Sequence, residues 1–114
     1  MDKLLEITLL YDFYGELLTE KQRSVMELYY LDDLSLHEIA AEHDITRQAV
    51  LDMLKRTEKL LNQYEQKLGL VAKYVEQKEK LEKLTDELKG IIKQNGIAVS
   101  ELDALAEELS HILD

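Results

Sequence analysis

The side chains that most often carry chemistry are few and scattered in this sequence. Histidines occur only at positions 37, 43 and 111, and none has a second ligand at the spacing of a metal site. The carboxylate pairs at 32–33 and 107–108 join adjacent residues, which we expect to be exposed. The chain has no Cys for a thiol nucleophile or a zinc ribbon, and no glycine-rich phosphate loop. We therefore expect no enzyme activity, no catalytic residue, no metal and no cofactor.

Polar and basic residues at helical spacing indicate a different chemistry, the binding of nucleic acid or of a partner. The candidate contact residues, called here the recognition face, are Thr46, Arg47, Gln48, Leu51, Lys55, Arg56 and Lys59. Arg47 can read a guanine edge and Gln48 an adenine edge, whereas the three later cations suit phosphates. Residues 46–60 hold four basic and two acidic side chains, a local charge of +2, so the other residues carry −12.

Asp52 is predicted to lie on the same side of this helix and argues against nucleic-acid binding. A carboxylate repels phosphate and can accept only from the amino groups of cytosine or adenine. The net charge of −10 adds repulsion, so we expect weak DNA binding that falls steeply with salt. In the alternative interpretation these cations form a solvated face with partners four residues away, such as Asp52 with Arg56.

The elements that must position this face fit a helix-turn-helix frame over residues 36–55. Ala40 is the small residue where the two helices cross, and the apolar contacts between them come from Ile39, Ile45, Val50 and Met53. Asp44 occupies the turn position that usually takes Gly, and Asp tolerates a left-handed backbone better than most residues. A three-helix core without a nucleic-acid role could give the same apolar spacing.

Hydrophobic periodicity and capping signals predict helices along the whole chain. Residues 19–22 and 35–38 form predicted capping boxes, and Gly69 is a suitable left-handed residue to end a helix. Residues 31–34 are predicted to break the second helix, and Asn95-Gly96 is a turn dipeptide. The predicted helices cover about 3–18, from the Thr19 cap to 30, 36–43, from the Thr46 cap to near Gly69, 70–94 and 101–113. With no Pro and only four Gly in 114 residues, the chain has too little turn chemistry for a sandwich or barrel. We predict an all-α fold, with a helix-turn-helix bundle at 1–69 and a C-terminal helical hairpin at 70–114.

Two of the predicted helices have more apolar surface than one copy is expected to cover. The first helix is apolar on several sides. The fifth carries a heptad seam, predicted to be buried, at Leu70, Tyr74, Gln77, Leu81, Leu84, Leu88 and Ile91. We therefore expect a homodimer. We also expect a cytoplasmic protein, because no targeting segment and no uncharged run of membrane-spanning length is found.

Four sequence blocks that occur together and in order carry a family resemblance. They are Leu18-Thr19-Glu20-Lys21-Gln22, Glu27-Leu28-Tyr29-Tyr30, Asp32-Asp33-Leu34-Ser35-Leu36-His37-Glu38-Ile39-Ala40 and Arg47-Gln48-Ala49-Val50. From about Tyr11 to Leu68 the chain closely resembles the YlxM family, small helix-turn-helix proteins of Gram-positive bacteria. The front half is also similar to region 4 of sigma factors, which reads promoter DNA. Residues from about 70 onward match no motif.

The resemblance implies a link to the signal recognition particle pathway, because the family's genes lie beside those for the particle's GTPase and its receptor. A regulatory protein that contacts the RNA or the GTPase of the particle is the first hypothesis. The second is a sigma-like DNA-binding regulator that uses Arg47, Gln48 and Lys55 in a major groove. The third is a structural protein whose helix-turn-helix is inactive, as Asp52 and the charge of −10 would allow.

Overall fold

The computed structural model describes residues 2–95 and 100–112, and the regular elements among them are all helical. The six α-helices are α1 (Lys3–Tyr14), α2 (Glu20–Met26), α3 (Leu36–His43), α4 (Arg47–Leu68), α5 (Leu70–Gln94) and α6 (Ser100–Ile112). The predicted all-α fold is confirmed, since no strand occurs in these two ranges. No helix within them is long and apolar enough to cross a membrane.

Short-range capping determines where the early helices begin. The Thr19 side chain accepts from the Gln22 N–H at 3.2 Å, and the Gln22 side chain accepts from the Thr19 N–H at 2.9 Å. Ser35 and Glu38 form the same reciprocal pair, with both distances at 3.2 Å. Both predicted capping boxes are therefore confirmed, and each satisfies two N–H groups at a helix start.

α1 is shorter than predicted. We expected a helix over 3–18, but the α-helix ends at Tyr14, and Gly15–Leu17 form a single 3-10 turn. The Tyr11 ring lies against Gly15, where an added Cβ would come within 3.3 Å of the ring. The missing side chain thus makes room for Tyr11, and the low helix propensity of Gly lets the chain tighten at this point.

The second helical segment also departs from the prediction of one helix to residue 30. α2 ends at Met26, and Glu27–Leu31 continue as a π-helical turn closed by an Asp32 N–H that donates to the Glu27 carbonyl at 2.9 Å. Asp33 follows in the left-handed region, with φ of 57°, and reverses the chain. The break predicted at 31–34 is therefore present, but it comes after a wider turn.

A tertiary contact accompanies this π turn. The Tyr30 hydroxyl donates to the Glu58 carboxylate of α4. The Tyr29 and Tyr30 rings pack edge to face, with their centroids 4.9 Å apart. Tyr30 lies within the π turn, so the turn and this contact with α4 occur together.

The chain divides into two compact units, Met1–Val71 and Ala72–Asp114. In the first unit α4 is the central element and contacts α1, α2 and α3. Its core is formed by apolar side chains from all four helices and the turn after α1. They are Ile7, Leu10, Tyr14, Leu18, Val25, Met26, Ile39, Ala40, Val50, Leu54 and Leu61. Away from this core, Leu5 and Leu17 remain 48% and 57% exposed.

A buried tyrosine joins the end of α4 to the first two residues of α5, all within the first unit. Gly69 ends α4 in the left-handed conformation, with φ of 64°, as predicted. The Tyr14 hydroxyl donates to Glu65 Oε1 at 2.6 Å and accepts from the Leu70 N–H at 3.2 Å. Glu65 Oε1 also accepts from the Val71 N–H at 2.9 Å. These two side chains satisfy the first N–H groups of α5, which have no partner within their own helix.

In the second unit, α6 runs back along α5. The Lys89 ammonium lies 3.4 Å from the Ser110 hydroxyl and 3.5 Å from the Glu107 carboxylate. Both contacts are several residues beyond the start of α6, and with a rise of about 1.5 Å per residue they require an antiparallel return. The predicted final helix begins at Ser100 rather than 101, and its predicted end at 113 lies outside the described residues, as does Gly96 of the predicted turn.

The predicted seam of α5 is wrong by one residue at every second position. Leu84 and Ile91, predicted to be buried, are 60% and 55% exposed. The next residues, Thr85 and Ile92, are 3% and 7% exposed instead. A shift of one residue turns the buried side by about 100° around the helix. Leu70 and Gln77, predicted for the same seam, are also exposed, whereas Tyr74, Leu81 and Leu88 are half-buried.

Candidate nucleic-acid interface

A tight turn joins α3 to α4. Asp44 adopts the left-handed conformation (φ 54°, ψ 45°) at the position where Gly is usual, as expected from the sequence. The Ile45 N–H donates to the Ala40 carbonyl at 3.0 Å. The Thr46 side chain then accepts from the Ala49 N–H at 3.0 Å and caps α4. Within three residues the chain ends one helix, changes direction and begins the next.

The apolar contacts predicted for this motif hold α3 across α4. Ile39 and Val50 are fully buried, and Ala40 is 8% exposed where the helices cross. Ile45 and Met53 are half-buried. Because these side chains fix the two helix axes, the opposite side of α4 is left at the surface.

The recognition face lies on that outer side. The residues of α4 that point into the core are Val50, Leu54, Thr57 and Leu61. Six of the seven predicted contact residues are exposed, and Leu51 is half-buried. At 100° per residue, Gln48 and Lys59 point almost directly away from the core, and Lys55 and Arg56 lie to either side of them. Arg47, in the first turn, is exposed nearer the core side of α4 and lies opposite Arg56 around the helix.

Asp52 is exposed in the centre of the recognition face, and its hydrogen-bond partner is Gln48 instead of the predicted Arg56. Gln48 Nε2 donates to Asp52 Oδ1 at 3.0 Å. The expected pair between Asp52 and Arg56 is not formed among the described residues. The Gln48 amide thus exposes less hydrogen-bonding capacity than the sequence suggested, whereas the Arg56 guanidinium stays available to a ligand.

A groove between α2 and α4 adjoins the recognition face. It measures about 450 Å³, and its lining residues are Thr19, Lys21, Gln22, Ala49, Asp52, Met53 and Arg56. Lys21, at the start of α2, therefore brings a further cation to the side of Arg56. Lys21 is not among the predicted contact residues, although it lies in one of the blocks that carry the family resemblance. Its place beside α4 depends on the tertiary packing of α2.

A tyrosine–carboxylate pair borders the recognition face on the Arg47 side. Glu58, half-buried, accepts from the Tyr30 hydroxyl. Burial raises the pKa of Glu58 above its ordinary value, and the charge of Lys3 acts in the opposite direction. This pair belongs to the packing of the π turn against α4.

The histidines do not converge on a site. The His43 ring Nε2 lies 3.0 Å from the Ser24 hydroxyl, where it joins α3 to α2. Over the described ranges, no group of three or more His, Cys, Asp or Glu side chains is placed to hold a metal ion. His43 therefore has a packing role in this arrangement.

This geometry defines the class of protein. A tight turn joins α3 to α4, α2 packs against α4, and the first turns of α4 are exposed, which is the helix-turn-helix arrangement. The family model described as "Putative helix-turn-helix protein, YlxM / p13 like" (UPF0122) matches residues 1–98. The chain belongs to this UPF0122 family.

Similar proteins match over almost their entire length. A UPF0122 protein of Geobacillus kaustophilus is 47% identical over 112 residues, which are 98% of this chain and 98% of the relative. One from Halalkalibacterium halodurans is 50% identical over 109 residues, 96% of this chain and 95% of the relative. The UPF0122 protein YlxM of Bacillus subtilis is 46% identical over 112 residues, 98% and 97% of the two chains. The similarity therefore includes the region after residue 70.

Proposed function

We propose that this chain is a non-enzymatic regulatory binding protein of the signal recognition particle pathway. It contacts the RNA of the particle, or its GTPase, through the recognition face. One observation carries this proposal: the cations Arg47, Lys55, Arg56 and Lys59 are exposed, and none forms a salt bridge within the described residues. Unpaired cations on a rigid helix can attract a polyanion even on a negatively charged body.

The choice of this pathway rests on the YlxM resemblance and on the place of that family's genes beside those of the particle's GTPase and receptor. The basic residues favour the RNA over the GTPase as the direct ligand. We also propose a homodimer, because large apolar side chains remain exposed in both units.

Fluorescence anisotropy with labelled signal recognition particle RNA and with duplex DNA, each at two salt concentrations, tests the proposal. The Arg47→Ala/Lys55→Ala variant should bind the RNA at least about tenfold more weakly and lower the salt slope by about 2. The Lys67→Ala/Lys83→Ala variant removes two exposed cations outside the recognition face and serves as the matched control. Equal losses in both variants would contradict a contact through the recognition face.

Asp52→Asn distinguishes the two possible ligands within the particle. Removing this exposed carboxylate lowers the repulsion of phosphate, so binding of the RNA should become tighter. If the GTPase is the ligand and offers cations to this surface, the same substitution should weaken the complex. No binding to either the RNA or the GTPase would refute the proposal.

A second candidate function is sequence-specific DNA binding by a sigma-like regulator. The observation that favours it is the exposure of Arg47 in the first turn of α4, next to the N-terminal cap. Tight, sequence-dependent binding to DNA that Arg47→Ala abolishes would support it and would remove the particle as the main target. The third hypothesis, an inactive helix-turn-helix, is favoured by the Gln48–Asp52 hydrogen bond.

A further inference from the structure

One side of the α5–α6 hairpin is apolar and exposed. On α5, Leu84 and Ile91 are 60% and 55% exposed, and on α6, Leu105 and Ile112 are 52% and 70% exposed. In each helix these residues recur after seven positions, which keeps them on one stripe along the helix. These four side chains are called the hairpin face.

The two stripes lie on the same side of the hairpin. Leu84 and Ile91 each precede a buried residue of α5 by one position, and Leu105 likewise precedes the buried Ala106 of α6. Both stripes are therefore rotated by about 100° from the buried side in the same sense along the chain. Because the helices run antiparallel, that shared rotation brings the two stripes to one surface rather than to opposite surfaces.

We propose that the hairpin face is a docking surface for the hairpin of a second copy of this chain, so that two hairpins form a four-helix arrangement. The proposal rests on the homodimer proposed above and specifies its interface. Two helices have a single layer of contacts between them, whereas four helices can enclose a core between the two pairs. The seven-residue spacing of the exposed residues is the pattern that such helix pairing requires.

The size of the hairpin face suits a symmetric dimer. Four large side chains exposed by half or more leave on the order of 400 Å² of apolar surface per copy, comparable with the largest apolar patches of soluble monomers. Doubled, this is roughly the apolar part of a standard interface of about 1,600 Å². Next to Ile91 a shallow groove is lined by Glu87, Gly90, Ile91, Lys93 and Gln94. An added Cβ at Gly90 would meet nothing within 4 Å, so the groove has space for a side chain of the other copy.

Sedimentation equilibrium of the full chain over a range of concentrations tests this interface. The wild type should sediment as a dimer. In Leu84→Glu/Ile91→Glu the dimer dissociation constant should rise at least about 1,000-fold, because four carboxylates replace buried apolar groups. Leu17→Glu is the matched control, since Leu17 is 57% exposed but lies in the first unit. Circular dichroism should show the same helix content in all three proteins.

Three results would overturn the proposal. They are a wild type that stays monomeric at about 100 µM, an unchanged dimer in Leu84→Glu/Ile91→Glu, and loss of the dimer in Leu17→Glu alone. The last result would assign the interface to the first unit. None of them bears on the recognition face, which is tested by other variants and by RNA binding.

Discussion

Removing one hydroxyl, in Tyr14→Phe, should destabilise the junction between the end of α4 and the first residues of α5. The Tyr14 ring is 1% exposed, so its hydroxyl cannot exchange its partners for water in the folded state. It donates to the Glu65 carboxylate at 2.6 Å and accepts from the Leu70 N–H at 3.2 Å. The substitution keeps the ring and its packing but removes both hydrogen bonds.

The expected loss follows from the two bonds. A hydrogen bond to a charged group contributes about 1.5–3 kcal/mol, and the bond to the Leu70 N–H adds less because both of its groups are neutral. We therefore expect the free energy of unfolding to fall by about 2–3 kcal/mol. Burial and the Glu65 carboxylate raise the pKa of Tyr14, so the folded state keeps its proton at a pH where the unfolded chain releases it. This stabilisation is present below pH 10 and is lost as pH rises further, and Tyr14→Phe should not show that loss.

Urea unfolding followed by circular dichroism measures the effect. Tyr64→Phe is the matched control, because the Tyr64 ring packs on Tyr14 at 5.9 Å between centroids and its hydroxyl forms no hydrogen bond with the described residues. The control should stay within about 0.5 kcal/mol of wild type. Equal stability of the two variants would refute the role of the Tyr14 hydroxyl.

Three further substitutions test individual features of the fold. The Thr57 hydroxyl is buried and has no hydrogen-bond partner in the described structure, so Thr57→Val should raise the free energy of unfolding in urea by about 1 kcal/mol. Thr85→Val is the control and should not raise it, because the Thr85 hydroxyl donates to the Leu81 carbonyl at 2.7 Å and the substitution removes that bond. Asp44→Gly should stabilise the protein by roughly 0.5–1 kcal/mol, because Asp44 has φ of 54° and Gly adopts this conformation without strain. Glu42→Gly, inside α3, should destabilise the protein by about as much, and differential scanning calorimetry measures both effects. Burial and the Glu27 carboxylate raise the pKa of Tyr11 to about 12. The wild type should therefore lose stability in alkaline unfolding from pH 10 towards pH 12, and Tyr11→Phe should lose less. Equal losses of stability in the two proteins would contradict this.

The local signals in the sequence were the most reliable. Both capping boxes, the left-handed Asp44 and the left-handed Gly69 are present as predicted. Each depends on backbone groups within a few residues, so the sequence already contains both partners of the interaction. The outward position of the recognition face followed from the 3.6-residue period of α4, which is long and strongly amphipathic. Its function as a contact surface stays a prediction.

The features that the sequence did not reveal depend on residues far apart in the chain. The π turn accompanies a contact between Tyr30 and Glu58, which are 28 residues apart. Lys21 reaches the groove beside Arg56 only because α2 packs against α4. Periodicity within one helix cannot indicate such contacts, because each requires the position of a second element.

The sequence by itself determined which segments are helical, where most of them begin, and that the cations of α4 lie outside the core, because these properties depend on neighbours within one or two turns. Only the tertiary structure decided which of two adjacent apolar stripes of α5 is buried. The stripe of Leu84 and Ile91 and the stripe of Thr85 and Ile92 differ by one residue, or about 100° of rotation, and both share Leu81 and Leu88. The side on which α6 returns selects the second stripe and leaves the first exposed.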